Sequence, residues 1–237
     1  MKRVIDIHSH ILPGVDDGCK TKEEALAMLK MYEEQEAEAV ICTPHFGPCS
    51  KFGADIYEAF NWLSSTGSPV KLYLGNEILF TRSTLVDVRR RTANSLAGSK
   101  HILVEFEDWM KHTPAEDILI ATQWLAQSEY TPILAHPERY KSLQYNPDFC
   151  RKIAKTGTKL QINAYDIYDS QNLETKKLTQ QLLKKRLVSF IGSDAHGADR
   201  RSPALKSGIQ WIYDNCPEDY ANAIVHDNAE KIIKRGA

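Results

Sequence analysis

Histidine and carboxylate residues recur along this chain, in most cases directly after a short apolar run. Asp6, His8 and His10 alternate within the first run, so an extended backbone would point all three to one face. Further members of the set are Asp17, His45, Glu77, Glu105, His136, Asp194 and His196. Such side chains are seldom buried without polar partners, so their recurrence beside apolar runs predicts a metal site.

The chemistry of this set indicates which metals it would bind. Imidazole and carboxylate groups without cysteine suit divalent Mn, Fe or Zn. The candidates are too many for one ion, and with a bridging carboxylate they fit two or three. We expect the remaining histidines, His101, His112 and His226, to be structural, because they begin a strand, lie in a polar loop and precede a helix, respectively.

Apolar, β-branched runs alternate with helical patterns along the whole chain. Strands are predicted over residues 4–7, 39–43, 70–74, 101–106, 133–135, 159–163 and 188–192. Helices are predicted over residues 21–38, 55–65, 115–128, 147–156, 173–186, 203–215 and 227–235. In the first helix Thr21 and Glu24 form a capping box. The apolar stripe of that helix comprises Ala25, Leu26, Met28, Leu29 and Tyr32.

Two architectures fit this alternation of strands and helices, which predicts a parallel sheet with helices outside it. In an open doubly wound sheet, the outer strands would lie too far apart to share one pocket. In a closed barrel, all carboxyl ends of the strands converge on one mouth. Because the candidate ligands follow so many different strands, we expect a barrel with the metal centre at this mouth. No Pro/Gly/Ser-rich linker divides the chain, so one domain over residues 1–237 is expected.

The overall composition excludes several classes of protein. Thirty Lys and Arg residues oppose 31 Asp and Glu residues, and this balance argues against a general nucleic-acid binder. A hydrophobic fraction of 42% is enough to fill a core, which argues against disorder. The chain has no apolar run of about 18 residues, the length that a membrane-spanning helix requires.

The cysteines exclude one class of phosphatase. They are odd in number, scattered and without a CxxC pair, at Cys19, Cys42, Cys49, Cys150 and Cys216. No secretory signal follows Met1, so we expect a cytoplasmic protein with reduced thiols. None of the cysteines has an arginine six positions later, which rules out a thiol phosphatase with a Cys-x5-Arg loop.

Several residue strings resemble the PHP (polymerase and histidinol phosphatase) superfamily, from Ile5 to the Asp227-Asn228-Ala229 segment. They are Ile5-Asp6-Ile7-His8-Ser9-His10, Val15-Asp16-Asp17-Gly18, Cys42-Thr43-Pro44-His45, Gly75-Asn76-Glu77-Ile78, Ala135-His136-Pro137-Glu138-Arg139-Tyr140 and Ile191-Gly192-Ser193-Asp194-Ala195-His196. The second and fifth strings look most like the bacterial PHP-type protein-tyrosine phosphatases of capsule and exopolysaccharide operons. The resemblance implies a distorted (β/α)7 TIM-like barrel with a trinuclear, manganese-dependent centre.

The resemblance also implies a role for each matched residue. The three expected ligand sets are His8, His10, Glu77 and Asp194; Glu77, Glu105 and His136; and Asp17, His45 and His196. Two arginines are expected to bind phosphate, and Arg139 matches the first. The second lies in Asp199-Arg200-Arg201-Ser202-Pro203, where the family has Asp-Gly-Arg-Pro-Pro. This aligns Arg201, although the additional Arg200 leaves both residues open.

Such a centre suits the hydrolysis of a phosphate ester. A metal-bridging hydroxide would attack the phosphorus of phosphotyrosine, and planar guanidinium groups would bind the phosphoryl oxygens. A phenol with a pKa near 10 leaves without strong acid assistance. Asp199 is a candidate general acid, with helix capping as the alternative interpretation. A surface pairing of Arg139 with Glu138 is the alternative for that arginine.

The resemblance implies a partner, and three functions stay open at this point. The expected substrate is the Tyr-rich tail of a bacterial tyrosine kinase in capsular or exopolysaccharide biosynthesis. The alternatives are a small-molecule phosphatase of histidinol-phosphate type and a non-catalytic, metal-stabilised binding module. The Phe46–Gly53 loop, Trp109 and Lys111 are candidates for the rim of the substrate site.

Overall fold

The computed structural model describes residues 1–47, 55–107, 113–168 and 171–236. Within these residues the strands are β1 (Ile5–Ser9), β2 (Ala39–Cys42), β3 (His45–Phe46), β4 (Lys71–Leu74), β5 (Glu77–Leu79), β6 (His101–Glu105), β7 (Thr131–Ala135), β8 (Lys159–Asn163) and β9 (Phe190–Gly192). The α-helices are α1 (Lys22–Glu34), α2 (Ile56–Ser64), α3 (Thr84–Arg89), α4 (Ala115–Ala126), α5 (Lys141–Tyr145), α6 (Asp148–Lys155), α7 (Leu173–Lys184), α8 (Lys206–Asn215), α9 (Glu218–Asn222) and α10 (Asn228–Gly236). All of the predicted strands and helices are therefore present.

The strand pairs are parallel and form two sheets, in the orders β1-β2-β4 and β3-β5-β6-β7-β8-β9. The β2–β4 pairing continues into the β3–β5 pairing, because Gly75 N donates to Cys42 O at 2.9 Å and Glu77 N donates to Pro44 O at 3.2 Å. At the other end, Asp194 N donates to His8 O at 2.8 Å. The parallel sheet is therefore curled, with helices packed against it, and the predicted α/β class is confirmed.

The sequence missed only short elements. They are β3, β5, α3, α5 and α9, each of two to six residues. Elements of this length contain too few residues to show a hydrophobic period. In the described residues, none of the helices combines the length and apolar character needed to cross a membrane.

Helix α1 shows which details local sequence controls. The Thr21 hydroxyl accepts a hydrogen bond from Glu24 N at 3.2 Å, which confirms the predicted N-cap. The prediction was wrong at the other end, because α1 stops at Glu34 and Glu36 takes a left-handed φ of 57°. It was also wrong for Leu26, which is 44% exposed and lies away from the buried stripe.

A β-bulge in β1 corrects the predicted direction of Asp6. Asp6 pairs with Val40 and Ser9 pairs with Cys42, so three steps along β1 oppose two steps along β2. Asp6 and Ser9 both bond to the hydroxyl of Tyr32 in α1, at 2.7 and 2.9 Å. Asp6 therefore faces the helix layer, and the prediction that it shares a face with the two histidines was wrong.

The described cysteines are free thiols: Cys19, Cys42 and Cys150 are buried and Cys216 is half-buried. Burial raises the pKa of the Cys42 thiol, which is surrounded by the apolar core. These positions agree with the expectation of reduced, structural cysteines. Cys49 lies outside the described residues.

Candidate metal centre

The predicted His, Asp and Glu residues meet at the carboxyl end of the curled sheet. Strands β1, β3, β5 and β6 carry His8, His45, Glu77 and Glu105. The other members follow strands β1, β7 and β9 or lie in the loop after β1, and they are His10, Asp17, His136, Asp194 and His196. The structure therefore brings all of the predicted set except Asp6 together, as parallel strands of a curled sheet allow.

One group of four side chains is completely enclosed. It consists of His8, His10, Glu77 and Asp194, whose exposed fractions are between 0 and 2%. The two Nε2 atoms lie 3.2 Å apart, and each lies 3.2 to 3.5 Å from Glu77 Oε2 and Asp194 Oδ1. This group matches the first ligand set that the resemblance implied.

The second group opens to solvent and joins His10 to Asp17, His45 and His196. Asp17 Oδ1 lies 3.3 Å from His45 Nε2 and 3.7 Å from His196 Nε2. The Asp17 side chain is 67% exposed and the His45 side chain is 26% exposed. This group includes all three residues of the set expected for the third ion.

The third group lies between the other two and differs from the expected set. His45 Nδ1 lies 2.9 Å from Glu105 Oε1 and 3.2 Å from Glu77 Oε2. His136 Nε2 instead lies 2.8 Å from the other oxygen of Glu77, Oε1. His45 therefore contacts two groups through its two nitrogens, a feature that the sequence did not predict.

The carboxylate of Asp16 fixes one ring proton of His10 on the nitrogen that points away from the enclosed group. His10 Nδ1 lies 2.8 Å from the carboxylate of Asp16, which only accepts when ionised. Although burial opposes ionisation, the interaction with His10 lowers the pKa of Asp16 to about 2, so this carboxylate is charged. A proton of His10 therefore sits on Nδ1, and when the ring is neutral, as in a metal complex, its Nε2 directs a lone pair into the group.

Two observations show that these residues fit divalent ions. When both histidines are neutral, four acceptor atoms converge in the enclosed group, an arrangement that repels itself unless a cation lies among them; without a metal ion, protonated histidines supply that positive charge. Ions of this class bond to nitrogen and oxygen at about 2.1 Å, so two ligands of a tetrahedral ion lie about 3.4 Å apart. The spacing of 3.2 to 3.5 Å agrees with that requirement.

The pKa shifts show the same preference for positive charge. Although burial opposes ionisation, the histidines around Glu77 hold the pKa of that carboxyl well below its usual value. Asp194 behaves alike, with His8, His10, Arg139 and Arg201 lowering its pKa against the effect of burial. Both carboxylates are therefore charged and available to a cation.

Arg139 and Arg201 share the oxygen of Asp194 that faces away from the enclosed group. Arg139 Nη1 and Arg201 Nη2 lie 2.8 and 2.5 Å from Asp194 Oδ2. Arg139 Nε also donates to Asp166 Oδ2 at 2.8 Å. Because Arg139 pairs with Asp166 and Asp194, the alternative in which it pairs with Glu138 was wrong.

Backbone strain accompanies these positions. His136, Asp194 and Arg201 have φ angles of 33°, 53° and 52°, in the left-handed region that residues other than glycine rarely adopt. Strain of this kind persists only where the surroundings impose it, and it concentrates at functional sites. The three turns direct their side chains back towards the mouth of the sheet.

The remaining predicted residues lie at the rim or beyond it. Asp199 and Arg200 are exposed, and neither forms an ion pair with another described residue. Helix α8 begins at Lys206 with Leu205 at its N-cap, so the capping alternative for Asp199 was wrong. Phe46 is half-buried, whereas residues 48–53, Trp109, Lys111 and His112 lie outside the described residues.

Several buried polar residues of the site were missed. Asp166 holds Arg139, Asn163 Nδ2 donates to Asp194 Oδ2 at 3.0 Å, and Gln161 Oε1 lies 3.0 Å from His8 Nδ1. The carboxylate of Glu138 accepts a hydrogen bond from Asn163 N at 2.7 Å. A signal was present, because Gln161 and Asn163 alternate with the apolar residues Leu160 and Ile162 along one strand.

His101 and His226, which were predicted to be structural, have hydrogen-bond partners outside the metal centre. His101 N donates to Ser99 Oγ at 3.1 Å, at the start of β6. His226 lies between Asp227 and Glu38, with ring nitrogens 3.0 and 3.3 Å from their carboxylates. Neither belongs to the three groups, which agrees with their structural interpretation.

Comparisons with known proteins agree with this geometry. The family described as "Capsular polysaccharide synthesis, CpsB/CapC" matches residues 4–234. The tyrosine-protein phosphatase CpsB of Streptococcus agalactiae serotype III is 29% identical, over 98% of both chains. The tyrosine-protein phosphatase YwqE of Bacillus subtilis is 30% identical, over 84% of this chain and 80% of its own.

Solved structures show the same likeness in three dimensions. A crystallographic study of YwqE from Bacillus subtilis and CpsB from Streptococcus pneumoniae, described as metal-dependent tyrosine phosphatases, gives a TM-score of 0.88. The identity is 26%, over 98% of this chain and 94% of that one. Histidinol phosphate phosphatase from Lactococcus lactis shares the fold, with a TM-score of 0.56 and 15% identity over 99% of this chain and 94% of that one.

Proposed function

This chain belongs to the CpsB/CapC family of capsular polysaccharide synthesis proteins, and on that premise we propose that it is a metal-dependent protein-tyrosine phosphatase. The observation that carries the proposal is the convergence of His, Asp and Glu side chains beside two guanidinium groups on Asp194. This combination pairs a cation site with a phosphate site, which phosphoester hydrolysis requires.

We propose that the centre holds two to three divalent ions, with manganese as the expected metal. His8, His10, Glu77 and Asp194 would hold the first ion. The second would be held by Glu77, Glu105 and His136, and the third by Asp17, His45 and His196. When bound, such ions supply Lewis acidity and lower the pKa of coordinated water towards neutrality.

The two arginines bind and orient the phosphate in this proposal. Arg139 is fixed at Nε by Asp166, so its Nη atoms stay directed towards the mouth. Asp194 and Asp166 raise the pKa of Arg139 despite its burial, so the guanidinium keeps its charge. Arg201 approaches the same carboxylate from the loop after β9. Together they present planar donors to the phosphoryl oxygens, whose charge redistributes during transfer.

The leaving group needs little help from the chain. A tyrosine phenol has a pKa near 10, so the phenolate leaves more readily than an alkoxide. Asp199 is the proposed proton donor where assistance is needed, because its carboxyl is exposed and lies five residues beyond Asp194 in the sequence. An aryl phosphate substrate is consistent with this modest acid assistance.

The substrate proposal is a phosphotyrosine protein, specifically the Tyr-rich tail of a bacterial tyrosine kinase in capsular or exopolysaccharide biosynthesis. Support comes from the names of the relatives and from the family description. A cytoplasmic location, expected from the sequence, belongs to the same proposal.

We also propose that the sheet is a distorted (β/α)7 barrel in which β2–β3 and β4–β5 each count as one interrupted strand. The hydrogen bond from His10 N to Ala195 O, at 2.8 Å, supports closure between β9 and β1.

A paired substrate assay tests the activity. The metal-free protein is reconstituted with Mn, Fe or Zn, and turnover of a phosphotyrosine peptide is compared with turnover of histidinol phosphate. We expect kcat/KM to favour the peptide by a large factor. A preference for histidinol phosphate would assign the chain to small-molecule metabolism, and inactivity with all three metals would leave a binding module.

A further inference from the structure

Strand β8 occupies a distinct place beside the metal centre. Its neighbours β7 and β9 are followed by His136 and Asp194, whereas β8 ends in Asn163. Two amide side chains, Gln161 and Asn163, lie on the face of β8 that borders the enclosed group, and both are fully buried. Buried amides with this proximity to candidate ligands need a structural reason.

The two amides form a continuous hydrogen-bonded chain from Asp194 to His8. Asn163 Nδ2 donates to Asp194 Oδ2 at 3.0 Å, and Gln161 Nε2 donates to Asn163 Oδ1 at 2.9 Å. Gln161 Oε1 then lies 3.0 Å from His8 Nδ1. The direction of the chain is set at Asp194, because an ionised carboxylate only accepts hydrogen bonds. Each following amide is thereby oriented, and the last oxygen requires a proton on His8 Nδ1.

The backbone around this chain is shaped to admit it. A Cβ atom at Gly192 of β9 would lie 2.7 Å from His8 Cβ and 2.9 Å from Gln161 Nε2. Such contacts are closer than atoms can approach, so any larger residue would displace the amide or the imidazole. Asn163 is also anchored through its backbone, since its N–H donates to Glu138 Oε1 at 2.7 Å. Both observations show that the surrounding backbone fixes the positions of the two amide side chains.

We propose that Gln161 and Asn163 are positioning residues that fix the metal-binding tautomer of His8 and the orientation of Asp194. With the proton held on Nδ1, His8 directs its Nε2 lone pair into the enclosed group. With Oδ2 held by Asn163 and the arginines, Asp194 directs Oδ1 to the same centre. The inference rests on the proposed function and names the residues that pre-set its first ion site.

The two histidines of the enclosed group are fixed by different means. His10 is oriented by the charged carboxylate of Asp16, whereas His8 is oriented by a neutral amide. The amide hydrogen bonds link His8 to Asp194, so one series of hydrogen bonds orients two candidate ligands that belong to different parts of the sheet. Partners of this kind typically change metal affinity by 10- to 100-fold when they are removed.

Nitrogen-15 NMR of the zinc-loaded wild-type protein tests the tautomer directly. Zinc is diamagnetic, so the two ring nitrogens of His8 can be assigned through their couplings. We expect a proton on Nδ1 and coordination through Nε2. A zinc-loaded protein in which His8 carries its proton on Nε2 overturns the inference alone. A protein that binds no zinc would overturn the proposed function instead, so the two failures are distinguishable.

Metal affinity in variants tests the role of the hydrogen-bonded amides Gln161 and Asn163. Gln161→Met keeps the volume of the side chain and removes both hydrogen bonds, so zinc affinity in a chelator competition should fall by about 10- to 100-fold. Gln161→Glu restores the acceptor for His8 Nδ1 but lacks the donor to Asn163 Oδ1, so it should recover part of that loss, a rescue that a purely structural role would not produce. Equal affinities for Gln161→Met and wild type, or no recovery in Gln161→Glu, would contradict the proposal.

The matched control is Gln180→Met in α7. Gln180 is half-buried and donates to the backbone oxygen of Ile167 at 3.0 Å, remote from the three groups. This variant also loses a side-chain hydrogen bond, and its zinc affinity should equal that of wild type. Circular dichroism of the metal-free proteins checks that each variant folds, and the wild-type NMR experiment stands even if Gln161→Met does not.

Discussion

The enclosed and open parts of the metal centre are built from the same residue types and differ in how those residues are held. In the enclosed group, the outer atoms of His8, His10 and Asp194 are all bonded to further buried groups. In the open part, the Asp17 side chain is 67% exposed, and its carboxylate contacts only histidines of the centre among the described residues. The ligands of the enclosed group are held by hydrogen bonds to buried residues, whereas Asp17 in the open part faces solvent.

This difference indicates a division of labour within one centre. Ligands whose second atoms are already bonded lose little conformational freedom on binding an ion, so the enclosed group should retain its metal most tightly. Exposed ligands such as Asp17 must be ordered at the time of binding, which weakens affinity and permits exchange. The open side is also the one through which a phosphorylated tyrosine can approach. Substitutions in the two parts should therefore have separable effects.

The largest effect is expected for Asp194→Ala in the enclosed group. This change removes one candidate ligand atom and leaves Arg139, Arg201 and Asn163 without their shared acceptor. We expect kcat/KM to fall by roughly 10³-fold or more, together with loss of the tightly bound metal. Elemental analysis after gel filtration measures the second quantity, and unchanged metal content would show that Asp194 is not a ligand.

A second variant separates metal loss from misfolding. Asp194→Asn keeps the shape of the side chain and the backbone turn at φ 53°, and it removes the charge. It should lose metal as Asp194→Ala does while retaining the far-ultraviolet circular dichroism of the folded protein. Parallel loss of structure in both variants would instead make Asp194 a residue of the fold.

Arg139→Ala should have the next largest effect and sharpen the distinction between metal and phosphate. The arginine contacts the outer oxygen of Asp194, which does not face the enclosed group. We expect metal content near the wild-type value, with kcat/KM lowered by about 10²- to 10³-fold through loss of a preorganised donor. The measurement is steady-state kinetics on a phosphotyrosine peptide at saturating metal. Activity close to wild type would exclude Arg139 from phosphate binding.

Much of this centre could be predicted because its residues break the pattern of the strands that carry them. His45, Glu77, Glu105 and Asp194 each follow an apolar run, and the parallel order of the strands then places them together. The elements themselves were predictable for the same reason, since their hydrophobic periods are long enough to recognise. Types and spacing thus suffice for the presence of the site and for its place in the fold.

Other features depend on contacts between distant residues and could not be predicted. The bulge that turns Asp6 towards Tyr32 arises from the pairing of β1 with β2. The use of both His45 nitrogens depends on Glu105 of β6 and Asp17 of a loop. Gln161 and Asn163 are not ligand types, and their importance emerges only from the chain of bonds that joins them to His8 and Asp194.

A smaller effect is expected for Asp17→Asn in the open part. The amide keeps an oxygen near His45 and His196 and removes the negative charge. We expect the metal concentration for half-maximal activity to rise by about tenfold, because a neutral ligand binds a divalent cation less strongly. Titration of activity with Mn measures this concentration. Metal that survives gel filtration should stay at the wild-type level, and its loss would contradict the division between the two parts.

The smallest effect is expected for Arg200→Ala, which tests whether Arg200 or Arg201 binds the phosphate. Arg201 adopts a φ of 52°, and its backbone oxygen accepts a hydrogen bond from His196 N at 2.8 Å. This turn directs Arg201 to Asp194 and leaves Arg200 exposed at the rim. An exposed charge beyond the first contacts of the phosphate contributes about 1 kcal/mol or less, so kcat/KM for a small aryl phosphate should change by no more than about fivefold. Steady-state kinetics with that substrate decide the matter, because a loss as large as that of Arg139→Ala would assign the phosphate contact to Arg200.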